Sequence, residues 1–167
     1  MANSSILNFN KYNVVSAVSF VPPFFTAVAG YAAGGKGGSE VATVDKFLFT
    51  TDARSTLATG LSAARQQAAG FASAENGYAA GGNAGSFFAT VDKFLFTTDA
   101  RSTLATGLSA ARNGVAGFAS AENGYVAGGE EGSYVTTVDK FLFTTDARST
   151  LATGLSAARR NLAGFAG

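Results

Sequence analysis

The sequence predicts an all-β protein built from repeated units, and three observations carry that expectation. A period of 47 residues runs from Gly30 onward: GYAAGG begins at Gly30 and Gly77, and GYVAGG at Gly124. Each period holds short apolar or alternating runs rich in Phe, Val and Thr, residues that favour strands. Between those runs lie Gly-Gly, Asn-Gly and Thr-Asp-Ala-Arg segments, which is turn chemistry. A period of 20–50 residues marks a solenoid, a propeller or an array, in which no unit buries its apolar face alone.

Residues 1–29 stand outside the repeat. Their apolar stretch NVVSAVSFVPPFFTAVA is too short, and too interrupted by Pro22-Pro23, for a membrane-spanning helix. Lys11 ahead of it and Ala27-Val28-Ala29 behind it resemble a signal peptide, but the proline pair sits inside the would-be apolar helix. The segment is read as a retained arm, an anchor or a link between subunits, and extended backbone suits its prolines. By the 47-residue offset Phe24 aligns with Phe71, Phe118 and Phe165. Residues 21–29 are therefore expected to supply the inner strand ahead of the first GYAAGG. The terminal NLAGFAG copies that same strand, so one of the two is spare and can pair with a neighbouring subunit.

Three units follow, at 30–76, 77–123 and 124–167. GYAAGG reads as a strand entering a turn. VATVDKFLFTT alternates, with Val44, Lys46 and Leu48 on one side and Asp45, Phe47 and Phe49 on the other. TDAR reads as a polar turn, and residues 55–61 as a further short strand. AGFASAEN alternates into Asn76-Gly77 and Asn123-Gly124, a strong hairpin signal. Each unit thus amounts to about four short strands.

Composition closes most routes to chemistry. The 167 residues include no His, Cys or Trp and carry a formal net charge of +1. Thiol nucleophiles, Ser-His-Asp triads, and zinc sites built on Cys or His are excluded. The charge balance implies no duplex nucleic acid and no anionic membrane as partner. No cofactor or metal is expected, since Glu130-Glu131 alone gives too few ligands for calcium. The carboxylates Asp45/Asp92/Asp139 and Asp52/Asp99/Asp146 recur in every unit, as structural groups do, and no pair stands out as a glycosidase pair. The recurring Arg54/Arg101/Arg148 and Arg65/Arg112/Arg159 are expected to pair with those Asp residues or to bond backbone carbonyls. The chain is read as not an enzyme.

Four strands in 47 residues is the size of a propeller blade. The di-glycines Gly34-Gly35, Gly81-Gly82 and Gly128-Gly129, with Arg65, Arg112 and Arg159 opening the next strand, resemble a kelch repeat along residues 30–167. Kelch repeats usually place a tryptophan on the outer strand, where this chain has Ser55, Thr56 and Leu57. With FLFTTDARSTLATGLSAAR in that place, the unit looks like the degenerate kelch-like repeats of bacteriophage tail and fibre proteins. The resemblance implies three four-stranded kelch-like blades per chain, with the propeller completed by oligomerisation. Closed propellers have about 4–8 blades, so two chains of three blades fit and three chains do not; phage fibres, by resemblance, pull towards trimers. A β-trefoil, closed within one chain, is the alternative fold.

The near-identical copies differ in two places. The first follows the di-glycine: KGGSEVA, NAGSFFA and EEGSYVT. The second follows the arginine: QQAA, NGVA and RNLA. Both are expected near one rim. Lys36, Glu40, Phe87, Phe88, Glu130, Glu131 and Tyr134 are the candidate ligand- or partner-binding residues, because loops on a rigid scaffold carry recognition. The expected role is a non-enzymatic structural or receptor-binding component of a bacteriophage virion. Its expected partners are further copies of itself, other virion proteins and a host surface glycan or protein. The alternatives are a bacterial carbohydrate-binding or adhesion module, extracellular or on the cell surface, and a self-assembling filament or capsid-surface subunit.

Overall fold

The computed structural model describes residues 27–167. They form eleven short strands and, among the described residues, no helix: β1 Ala29–Ala33, β2 Val44–Leu48, β3 Ala53–Thr56, β4 Ala69–Ala72, β5 Asn76–Ala80, β6 Val91–Leu95, β7 Ala100–Thr103, β8 Ala116–Ala119, β9 Asn123–Ala127, β10 Val138–Leu142 and β11 Ala147–Thr150. The strands build three separate antiparallel sheets, β1-β2-β3, β4-β5-β6-β7 and β8-β9-β10-β11. Separate blade-like sheets differ from the single barrel that a trefoil requires.

The sheets cut the chain out of phase with the sequence units. AGFA, near the end of one unit, forms the first strand of the next sheet: Phe71 lies opposite Tyr78, and Phe118 opposite Tyr125. The first sheet has three strands among the described residues. The inner strand expected from residues 21–29 falls mostly outside that range, and Ala29 already belongs to β1.

Two local expectations are corrected. Asn76-Gly77 is not the hairpin turn but the start of β5. The turn lies over Ser73, Ala74 and Glu75, where the Ser73 hydroxyl accepts the Asn76 N–H at 3.0 Å and the Ser73 N–H donates to the Asn76 carbonyl at 2.9 Å. A serine bonding its own turn competes with the Asn-Gly preference and wins. The strand expected over 55–61 spans Ala53–Thr56 instead. Beyond it the Leu57 N–H still bonds Val44, but the Leu61 N–H bonds Ala42, so the chain folds back along β2's entry loop.

The core lies between sheets, not within one. Val44 and Leu61 of the first unit pack against Ala79 and Phe94 of the second sheet. Phe71, Tyr78, Ala80, Val91 and Leu108 pack against Val126 and Phe141 of the third. Phe71 stacks on Tyr78 at 4.8 Å between ring centroids and on Phe141 at 5.9 Å. Burying sheets on both faces is what an array of incomplete units demands.

Inner strands meet through glycine. A Cβ on Gly117 of β8 would run into the carbonyl oxygen of Gly70 on β4. Gly164 stands in the same relation to Gly117, so the chain at Gly164 lies against β8 as β8 lies against β4. Only a residue without a side chain permits that backbone approach.

Polar groups lock one sheet to the next. Arg65 and Asp92 are 0% exposed and meet at 2.9 Å; Arg112 and Asp139 repeat the pair at 2.9 Å with the same burial. Each arginine also donates to a backbone carbonyl, Arg65 to Ala79 at 3.2 Å and Arg112 to Val126 at 3.3 Å. Both expected roles of these arginines are therefore filled at once. Arg65 does not open a strand, however, but sits in the crossing between β3 and β4. Nearer the surface, Lys46 Nζ and the Tyr31 hydroxyl both reach Asp99, at 2.8 Å and 2.9 Å; Lys93 and Tyr78 reach Asp146 at 2.7 Å and 3.1 Å.

Candidate binding rim

The loop after each di-glycine has one backbone and three different sets of side chains. Its first and fifth residues pair in all three copies: Lys36 with Glu40, Asn83 with Phe87, and Glu130 with Tyr134. The same internal hydrogen bond closes each tip, from the N–H of residue 37, 84 or 131 to the carbonyl of residue 39, 86 or 133, at 3.1 Å.

The second variable segment lies against the first. Gln66 and Asn83 exchange backbone hydrogen bonds at 3.0 Å and 2.9 Å, and Asn113 and Glu130 do so at 3.2 Å and 3.0 Å. The segments also link to one another, as the Gly114 N–H bonds the Gln67 carbonyl and the Asn161 N–H bonds the Gly114 carbonyl. Asn113 Nδ2 donates to Gln67 Oε1 at 2.7 Å. The two variable regions therefore form one continuous rim, as the sequence reading expected.

The seven candidate residues divide by what they touch. Lys36 Nζ bonds Glu40 at 3.1 Å, and Gln66 Nε2 bonds the same oxygen at 3.2 Å. A backbone hydrogen bond first and the Lys36 ammonium second hold the Glu40 carboxyl below its usual range. The half-buried ring of Phe88 covers the Arg65 guanidinium at 5.7 Å. Phe87 is half-buried beside it in sequence. Glu131 is exposed, and Tyr134 is 52% exposed.

Arg160 is the residue that sequence reasoning missed. It forms an ion pair with Glu130 and lies 5.4 Å over the Tyr134 ring. Its signal was present, because Arg160 replaces Gln66 and Asn113 at the same offset in the third copy. The third rim segment thus holds an aromatic face, a cation and two carboxylates on adjoining loops. That set can stack on a ring and hydrogen-bond polar groups around it.

The buried recurring carboxylates are engaged elsewhere. Asp92 accepts from the Ser62 N–H at 2.8 Å, the Ser62 hydroxyl at 2.9 Å and Thr103 at 2.7 Å, besides Arg65. Burial acts to raise its pKa, but those bonds outweigh it and hold the carboxyl below its ordinary range. Asp139 is held down in the same way, with Ser109, Thr150 and Arg112 as partners. Among the described residues no cluster of three or more acidic side chains is placed to hold a metal ion.

No family model matches this chain, and no curated protein does. It is similar to the solved structure of YjhT. The likeness has a TM-score of 0.65 at 16% identity and covers 78% of this chain. It covers 51% of the YjhT chain, so this protein spans about half that length. At such identity the likeness to YjhT establishes the arrangement of the sheets and nothing of the activity.

Proposed function

We propose that this chain is a non-enzymatic attachment module, in which kelch-like blades hold a rim of variable loops against a surface ligand. One observation carries the reading. Between near-identical copies the differences concentrate on a single continuous rim, while the loop backbone stays the same. A scaffold kept constant beneath changing side chains is the arrangement of a recognition surface. The engagement of Asp92, Asp99, Asp139 and Asp146 in links between sheets supports a role without catalysis. On the resemblance to bacteriophage tail and fibre repeats, the reading puts the module on a virion, with a host surface glycan or protein as its ligand.

The test is binding of the purified chain to a panel of surface glycans and to intact bacterial cells. Saturable binding is expected, and Tyr134→Ala with Arg160→Ala should weaken it at least tenfold while the unfolding midpoint holds. Binding that ignores these changes, or hydrolysis of a panel member, overturns the reading.

A further inference from the structure

The contacts between sheets repeat at a fixed offset, and that offset says what the two outer faces need. Arg65 meets Asp92 and Arg112 meets Asp139. The next arginine in the series is Arg159, which is exposed and has no carboxylate in reach among the described residues. The first aspartate in the series is Asp45, whose Oδ1 accepts from Thr56 and Arg54 while no donor among the described residues meets Oδ2. Lys46 meets Asp99 and Lys93 meets Asp146, which leaves Lys140 at one end and Asp52 at the other. The apolar groups follow the same rule. Phe94 and Phe141 are buried against the preceding sheet, at 5% and 0% exposure, whereas their copy Phe47 is 37% exposed.

We propose that the outer face of the third sheet docks onto the outer face of the first sheet in a second copy of this chain, twice over, to close a ring of six sheets. Arg159 then meets Asp45 of the second copy, and Lys140 meets its Asp52. Cations stand on one face and carboxylates on the other, so the faces are complementary and neither is suited to itself. Residues 163–166, AGFA as in β4 and β8, pair along the edge of the second copy's β1 that no other described strand occupies. The register of β4 on β5 sets Ala163 opposite Ala33 and Phe165 opposite Tyr31. A cleft of about 990 Å³ lies beside that edge, lined by Gly30, Tyr31, Gly70 and Phe71. Gly70 faces it with no atom closer to a built Cβ than the Tyr78 oxygen at 3.9 Å, whereas Gly117 abuts Gly70. Residues 22–25 hold the same offset, but they read Pro-Pro-Phe-Phe. Of two adjacent residues on an antiparallel strand, one N–H faces a given neighbour, and proline has none.

Native mass spectrometry tests the docking. The wild-type chain should appear at 33.6 kDa, twice its 16.8 kDa. Arg159→Asp and Asp45→Arg should each remain single chains alone, because like charges then face each other at both junctions. Mixed in equal amounts they should form the pair, since the changed charges attract at one junction and the native pair forms at the other. A second variant does not depend on charge: Ala33→Cys with Ala163→Cys in one chain should oxidise to a covalent two-chain species. A wild-type single chain, an open polymer, or oxidation within one chain overturns the proposal.

Discussion

Arg112 and Asp139 meet at 2.9 Å with neither side chain exposed, and the pair ties the crossing after one sheet to the next sheet. The arginine leaves its own unit between β7 and β8 and reaches across the seam to the second residue of β10. Attraction between such charges is set against the cost of drying both, so the pair fixes which sheet meets which more than it adds stability. Removing one partner is another matter. Asp139→Asn strands a buried guanidinium and should cost about 3–5 kcal/mol in urea unfolding. Replacing both groups, with Arg112→Met and Asp139→Leu, should recover only part of that loss, because the Ser109 N–H and the Ser109 and Thr150 hydroxyls then lose their acceptor.

The same aspartates predict an acid limit. Asp92 and Asp139 are held below the ordinary value of 3.8, so the folded state favours their ionised form. Their contribution is complete above the unfolded value and is lost as pH falls through the lower folded value. The urea midpoint should therefore hold from neutral pH to about pH 5 and then decline as the solution becomes more acidic. Asp92→Asn should start lower at neutral pH and show a shallower decline. A wild-type midpoint that rises on acidification would contradict the sign.

The all-β class and the repeat were legible because they are written in local chemistry. Strand residues alternate between turn residues, and an exact copy shows where the unit starts again. The phase of the sheets was not legible, because AGFA copies equally well into either neighbouring sheet. Its place is decided by Phe71 facing Tyr78, a pairing across a turn that Ser73 rather than Asn76 makes. The arginine series was legible as structural, but not its target, since Arg65 and Asp92 are separated in sequence by 27 residues and two strands. At the rim, Lys36, Glu40, Phe87, Glu130, Glu131 and Tyr134 stood out because they differ between copies, and so did Phe88. Its ring covers a buried cation, which no single-sequence pattern announces.

Close approach of inner strands predicts a sharp contrast between two glycines. A side chain at Gly117 meets the Gly70 carbonyl, whereas one at Gly37 has no atom within 4 Å. Gly117→Ala should cost about 1–3 kcal/mol as the strands are forced apart. Gly37→Ala should stay within about 0.5 kcal/mol of wild type. Equal midpoints for the two variants in chemical denaturation would show that β4 and β8 do not meet through their glycines.

Asp146 combines two roles that substitution can separate. It stands at φ 57° in the turn between β10 and β11, a left-handed conformation that Asp and Asn tolerate better than other residues with side chains. Its carboxylate also receives Lys93 at 2.7 Å and the Tyr78 hydroxyl at 3.1 Å, which draws the turn onto the preceding sheet. Burial first and this carboxylate second push the Tyr78 phenol well above its ordinary pKa. Asp146→Asn keeps the backbone preference and loses the charge. Because the ion pair is partly exposed, that change should cost no more than about 1 kcal/mol, and less in high salt. Asp146→Ala loses both roles and should cost at least about 1 kcal/mol more, from backbone strain that salt does not screen. Urea midpoints of the two variants, each at low and high salt, separate the terms. An alanine variant as stable as the asparagine one would remove the turn strain from the account, and a salt-independent asparagine variant would remove the ion pair.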